Sequence, residues 1–146
     1  MIEVIGIDHI YLAVSDMDRS ERFYNDVMKI LGFRKNTFTN EGEPHIQYYN
    51  RHFGLVLRPA HGDAAKHDSL SPGLHHLCFR VEDIPTIDSI AKQLAAINIP
   101  CSPPQLYPEY ASDYYAIFFS DPDGIRLEIT NYRQERRKRH DDWDQA

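Results

Sequence analysis

Apolar and polar residues alternate along residues 6–14, with Ile10, Leu12 and Val14 on one side and Ile7, His9, Tyr11 and Ala13 on the other. Side chains of an extended chain point to alternate faces, so the pattern predicts a strand with one dry face. The period then changes. Phe23, Tyr24, Val27, Met28 and Leu31 recur at helical spacing, which predicts a helix over 18–31 with a single apolar stripe. Ser15, Asp16 and Asp18 offer capping oxygens, Glu21 follows Asp18 at capping-box spacing, and Gly32 supplies a stop. Residues 33–38, 45–50 and 53–60 read as three further strands, with a turn at Asn40-Glu41-Gly42-Glu43-Pro44.

The same order then returns. Residues 76–81 form a strand with Leu77, Phe79 and Val81 on its dry side. Ile87, Ile90, Ala91 and Leu94 mark a helix over 83–97, where Pro85 is tolerable in the first turn. Residues 99–106 make a weak strand broken by Pro100, Pro103 and Pro104, which suits an edge. An aromatic strand at 114–119, the tight turn Asp121-Pro122-Asp123-Gly124 and a last strand at 125–130 complete the repeat. Aligning Gly124 with Gly54 sets Leu57 against Leu127 and Arg58 against Glu128. The expected fold class is therefore α+β, with two βαβββ modules at 4–60 and 74–132. Each is a curved mixed sheet with its helix on the convex face. Residues 61–74 are a polar, Gly- and Pro-containing seam inside one domain spanning 1–132, because half the chain is too short to hold a core alone. The charged tail, 133–146, is expected to be a solvated helix or a fraying end, with Glu135 and Arg139 at i,i+4 spacing.

Charge and composition narrow the partners. The net charge is −6, although Arg136-Arg137-Lys138-Arg139 is basic, so the body is acidic and no nucleic-acid partner is expected. No apolar run reaches the length of a membrane span, so no membrane partner is expected either. The first residues show no secretory signal, and Cys78 and Cys101 read as reduced thiols, which points to the cytoplasm.

The chemistry follows from strand parity. His9, His76 and Glu128 fall on the faces opposite the dry ones. Two imidazoles and a carboxylate form a facial set for one divalent metal ion, with Fe, Mn, Zn, Ni and Co all compatible. A lone histidine on a strand is more often packed or solvated, and the chain has eight. The matched positions of His9 and His76 in a repeat are what single them out. Glu128 is also the candidate catalytic carboxylate. Tyr11, Tyr48, Tyr114 and Phe118 are expected as aromatic walls around a small-molecule substrate, with Arg58 and Arg126 facing it. Arg58, Arg80 and Arg126 share the concave parity, and Arg58 suits an anionic group. The alternative for these arginines is pairing with Glu82, Glu128 or carboxylates at the rim.

The units His9-Ile10-Tyr11-Leu12-Ala13-Val14 and His76-Leu77-Cys78-Phe79-Arg80-Val81, with the ending Asp121-Pro122-Asp123-Gly124-Ile125-Arg126-Leu127-Glu128-Ile129, resemble the vicinal oxygen chelate superfamily. This is the glyoxalase, bleomycin-resistance and extradiol dioxygenase group. The resemblance covers residues 4–132. It implies paired βαβββ modules, a divalent metal on His9, His76 and Glu128, and a homodimer in which modules pair within one chain or across two. It also exposes departures. Glyoxalase I carries a second metal-binding glutamate in its first module, and the aligned position here is Arg58. Extradiol dioxygenases place a tyrosine where Phe118 stands and a histidine near Glu109, Tyr110 and Ala111. No loop matches the potassium site of the fosfomycin thiol transferases. The resemblance therefore implies a metal-dependent enzyme whose reaction (dioxygenase, lyase or isomerase, or thiol transferase) stays open. The alternative is a binding protein that sequesters a small molecule, although bleomycin-sequestering members lack the metal triad.

Overall fold

In the first half, β1 (His9–Val14), α1 (Met17–Ile30), β2 (Arg34–Asn40), β3 (Glu43–Tyr49) and β4 (Gly54–Pro59) form one mixed sheet and its helix. The sheet order is β1-β4-β3-β2, with β1 parallel to β4 and the other pairs antiparallel. The computed structural model describes residues 1–62 and 66–145, so 63–65 of the seam and residue 146 of the tail lie outside the described residues. The chain divides into two units, Met1–His67 and Asp68–Ala146.

The β2–β3 hairpin turns at Glu41 and Gly42, both at positive φ (51° and 78°). Two such residues make the tight turn whose twist matches the strands. That turn sets Asn40 opposite Glu43, and the count onward places Ile46 and Tyr48 beside Leu57 and Leu55. These four are buried with Leu12, Val14 and the helix residues Tyr24, Val27 and Met28. The opposite, open face carries His9, Tyr11, Ala13, His45, Gln47, Val56 and Arg58. The sheet starts only at His9, and residues 1–8 precede it without regular structure. Helix α1 starts earlier than the spacing suggested, so Asp16 rather than Asp18 is its N-cap and accepts from Arg19 N at 3.0 Å. Gly32, at φ 79°, ends it, and Phe33 N bonds back to Met28 O at 2.8 Å.

The second unit repeats the plan with β5 (Leu77–Val81), α2 (Ile84–Ala96), β6 (Gln105–Leu106), β7 (Tyr115–Ser120) and β8 (Arg126–Asn131). Its sheet order is β5-β8-β7-β6, with β5 parallel to β8. The proline-broken segment supplies only the two-residue edge strand β6. Phe79, Ile117, Phe119, Leu127 and Ile129 are buried with Ile87, Ile90, Ala91 and Leu94 of α2. Asp83 caps α2 through Thr86 N at 3.0 Å. The tail continues as α3 (Gln134–Asp141) and a 3-10 turn (Trp143–Gln145), neither burying a residue. Arg137 ties it to the residues that follow β5 and β8, donating to Glu82 Oε1 at 2.6 Å and to the carbonyls of Glu82 and Tyr132 at 3.0 Å.

The fold is thus α+β with two βαβββ units, as the repeat implied, but the internal alignment shifts by two residues. In the first unit Tyr11 lies opposite Val56; in the second Cys78 lies opposite Glu128. With His9 matched to His76, the counterpart of Glu128 is Val56, and Arg58 takes the place of Thr130. The glycine anchor misleads because Gly54 is the first residue of β4, whereas Gly124 sits in the turn and β8 starts at Arg126.

Candidate metal centre

Glu128 lies on β8, flanked on the open face by Cys78 of β5 and Phe118 of β7. It is 3% exposed. A carboxylate so buried needs partners for both oxygens. Oε1 accepts from the Tyr114 hydroxyl at 2.5 Å, and Oε2 stands 3.1 Å from His76 Nε2. Burial, and then the bond to Glu128, raises the Tyr114 phenol above its ordinary value, so it stays a donor. His76 Nδ1 is 2.8 Å from His75 Nδ1, which leaves Nε2 as the nitrogen facing the carboxylate. Desolvation of the sulfur, and then the Glu128 charge, pushes the Cys78 thiol up to about 12, so it is not a thiolate.

Aromatic rings stand beside this pair. Phe118 meets Tyr107 edge-on at 5.4 Å, and Tyr110 lies 5.2 Å from Tyr114. Tyr107 and Tyr110 therefore extend the wall that parity assigned to Tyr114 and Phe118; their Pro-rich flanks gave no periodicity to show it. Arg126 is exposed on the same strand, two residues before Glu128.

On the open face of the first unit, His9 Nδ1 is 2.6 Å from Asp8 Oδ2, which fixes that nitrogen and leaves Nε2 available. A carboxylate behind a histidine is the arrangement that orients metal-binding imidazoles. Tyr11 packs edge-on between His9, at 5.5 Å, and His45, at 5.8 Å. His45 is 1% exposed; its Nδ1 is 3.0 Å from Glu43 O, and its Nε2 has no hydrogen-bond partner. Arg58 is not free for a ligand. Its guanidinium bonds to Glu43, whose other oxygen takes His61 Nε2. The His61 bond first, and then the Arg58 charge, holds the Glu43 carboxyl below its ordinary value. The rim-carboxylate alternative is what Arg58 adopts.

Tyr48 requires a correction. It is 2% exposed on the helix side of the sheet, with its hydroxyl on Asn25 Oδ1 at 2.9 Å and its ring 6.3 Å from Tyr24. The hairpin register puts it with Leu55, not with His9, so it forms no part of an open-face wall.

Two of the expected donors are spaced as ligands of one ion would be. Two cis ligands on an ion with bonds of about 2.1 Å stand about 3 Å apart, which is the separation of His76 Nε2 and Glu128 Oε2. Among the described residues, no group of three or more His, Cys, Asp or Glu side chains that could hold a metal ion is found. His9 belongs to the first unit, and His76 and Glu128 to the second.

Duplicated βαβββ units, with a histidine at or just before the first strand of each, define the class of two-module βαβββ proteins. The chain belongs to the glyoxalase/bleomycin resistance protein/dioxygenase superfamily, whose family model matches residues 6–129. It is 31% identical over 129 residues to YqjT of Bacillus subtilis (strain 168), covering 83% of this chain and 94% of that protein. A glyoxylase/bleomycin resistance protein/dioxygenase domain from Frankia sp. EAN1pec shares the fold at a TM-score of 0.74 and 26% identity, covering 90% of this chain and 100% of that one. The fosfomycin resistance protein FosX of Listeria monocytogenes, in complex with Mn(II) and 1S,2S-dihydroxypropylphosphonic acid, shares it at 0.68 with 16% identity, covering 92% and 98%.

Proposed function

We propose that this chain is a divalent-metal-dependent enzyme of the superfamily in which His9, His76 and Glu128 hold one ion and a small oxygenated substrate takes the positions they leave open. The observation that carries this reading is the convergence of His76 Nε2 and the buried Glu128 Oε2 at 3.1 Å on an open sheet face. The orientation of His9 by Asp8 supports it, as does the Mn(II) held by FosX. Such an ion supplies Lewis acidity toward substrate oxygens.

The chain's own groups supply the rest. Tyr114 occupies Glu128 Oε1 and directs Oε2 toward His76. In this reading Tyr114 and Phe118 wall the substrate with Arg126 at its exposed edge, and Tyr11 is the aromatic residue beside His9. With Val56 at the counterpart of Glu128 and Cys78 protonated, Glu128 is the carboxylate that takes or returns a substrate proton. These features suit proton-transfer chemistry of the lyase or isomerase kind over thiol transfer from the chain itself. A cytoplasmic homodimer belongs to the same reading, and the free thiols of Cys78 and Cys101 are compatible with a reducing compartment.

The test is metal analysis and Mn(II) titration of the purified protein beside His9→Ala, His76→Ala and Glu128→Ala. We expect one tightly held ion in the parent and a loss in each variant beyond the roughly 10–100-fold typical of residues behind the ligands. Equal metal in parent and variants would sink the proposal.

A further inference from the structure

The open face of the second unit ends in an excess of positive charge. Arg80 lies on β5, two residues beyond Cys78 on the same face, or about 7 Å along the strand. Its guanidinium sits 4.2 Å from the centre of the Tyr132 ring, which Arg137 also approaches at 4.2 Å. Arg133 stacks 4.6 Å over Tyr114, the tyrosine bonded to Glu128. Its Nε is buried without a hydrogen-bond partner. Arg136 lies on α3 at i+3 from Arg133, one helical turn on, and burial together with the charges of Arg139, Arg80 and Arg133 lowers its pKa, with Glu135 opposing.

Like charges gathered beside aromatic faces repel one another unless an anion joins them. Three of the nearby carboxylates are committed, and Glu135 is the one left to offset Arg136. Glu82 is held by Arg137, Asp113 accepts from Gln134 N, and Glu128 is held by Tyr114 and His76. Among the described residues Arg80, Arg133 and Arg136 have no carboxylate ion pair. Arg58, the cation that strand parity favoured for an anion, is taken by Glu43.

We propose that Arg80, Arg133 and Arg136 form an oxyanion subsite at the end of this open face, and that the substrate carries a carboxylate or phosphate group a few bonds from the oxygens that meet the metal. The subsite's place in catalysis rests on the metal reading, but anion binding itself does not require the metal. Guanidinium forks match both oxyanions, and the stacked tyrosines hold two of the three in position. The tail thereby becomes part of the binding face.

The experiment is calorimetric titration of the metal-free full chain with inorganic phosphate and, separately, malonate, at low ionic strength. We expect one of the two to bind, which names the group. Arg80→Gln, and Arg133→Gln combined with Arg136→Gln, should each weaken it about tenfold or more, the scale of a lost charge-assisted contact. Arg80 is exposed, so its replacement keeps the test intact should the double variant fold poorly. Unchanged affinity in Arg80→Gln and in the folded double variant would overturn the subsite, as would a loss that follows Arg58→Gln in their place. Binding of neither anion overturns it too. Mn(II) titration of the same samples reads the metal separately: a parent that binds phosphate through these arginines but no Mn(II) would keep the subsite and remove the metal.

Discussion

Tyr114 gives its hydroxyl to Glu128, whereas Tyr48 gives its own to Asn25 beneath α1. Their chemistry is the same, and the face of the sheet decides the role. Tyr114→Phe leaves Glu128 Oε1 without its donor and free to swing, so Mn(II) affinity should fall about tenfold, within the range for residues that orient ligands. The Mn(II) electron-resonance spectrum should change with it, which a purely structural role would not produce. Tyr48→Phe should instead leave Mn(II) titrations unaltered and cost about 1 kcal/mol in urea unfolding, the value of one buried hydrogen bond. The sequence contained what was needed to sort the two. Taking Glu41-Gly42 as a two-residue turn fixes Asn40 opposite Glu43, and even-numbered positions then follow Leu55 and Leu57 inward. The bare Nε2 of His45 was not legible in this way, because its burial comes from Tyr11 and Phe38 packing around the ring.

At the scale of elements, the placement of Glu128 depends on the turn before β8. Asp121 Oδ1 accepts from Asp123 N at 2.9 Å and Ile125 N at 2.8 Å, and Asp121 N bonds Ile125 O at 2.9 Å. This loop delays β8 by the two residues that separate Val56 from Arg58 in the repeat alignment. Asp121→Ala removes a buried acceptor for two amides and should cost about 1–3 kcal/mol by urea unfolding. It should also weaken Mn(II), because the strand carrying Glu128 loses its register; Asp121→Asn, which keeps Oδ1, should restore most of both. The cap of α2 gives a pH test. Bonds from the Thr86 hydroxyl and amide hold the Asp83 carboxyl below its ordinary 3.8. A depressed carboxyl contributes stability above its unfolded pKa and loses it as pH falls through the folded one. Asp83→Ala should therefore melt below the parent at neutral pH, with the gap closing under acid conditions below that ordinary value. Asp83 was expected as the first residue of the helix and is instead its cap, and Asp16 lies two residues before Asp18, which capping-box spacing favoured.

For the whole molecule, the duplication was legible because a strand period of two and a helix period of 3.6 recur in the same order. The tail was not. Its arginines carry no periodicity, and only their stacking on Tyr114 and Tyr132 relates them to the open face. Metal binding by the proposed ligands has a thermodynamic consequence. An ion that binds only the folded chain adds stability as its concentration exceeds the dissociation constant, by about 2.7 kcal/mol at a hundredfold excess. For a chain of this length that raises the melting temperature by roughly 5–10 °C. The increment should appear with Mn(II) in calorimetry, vanish with chelator, and vanish in Glu128→Ala. His9→Ala is the decisive variant. If His9 is a ligand, whether within one chain or from a second copy, its removal should abolish most of the increment without lowering the metal-free melting temperature, since its ring is more than half exposed and its bonded neighbour Asp8 almost wholly so. A full increment in His9→Ala would confine the metal to His76 and Glu128 and leave His9 and Asp8 as a surface pair.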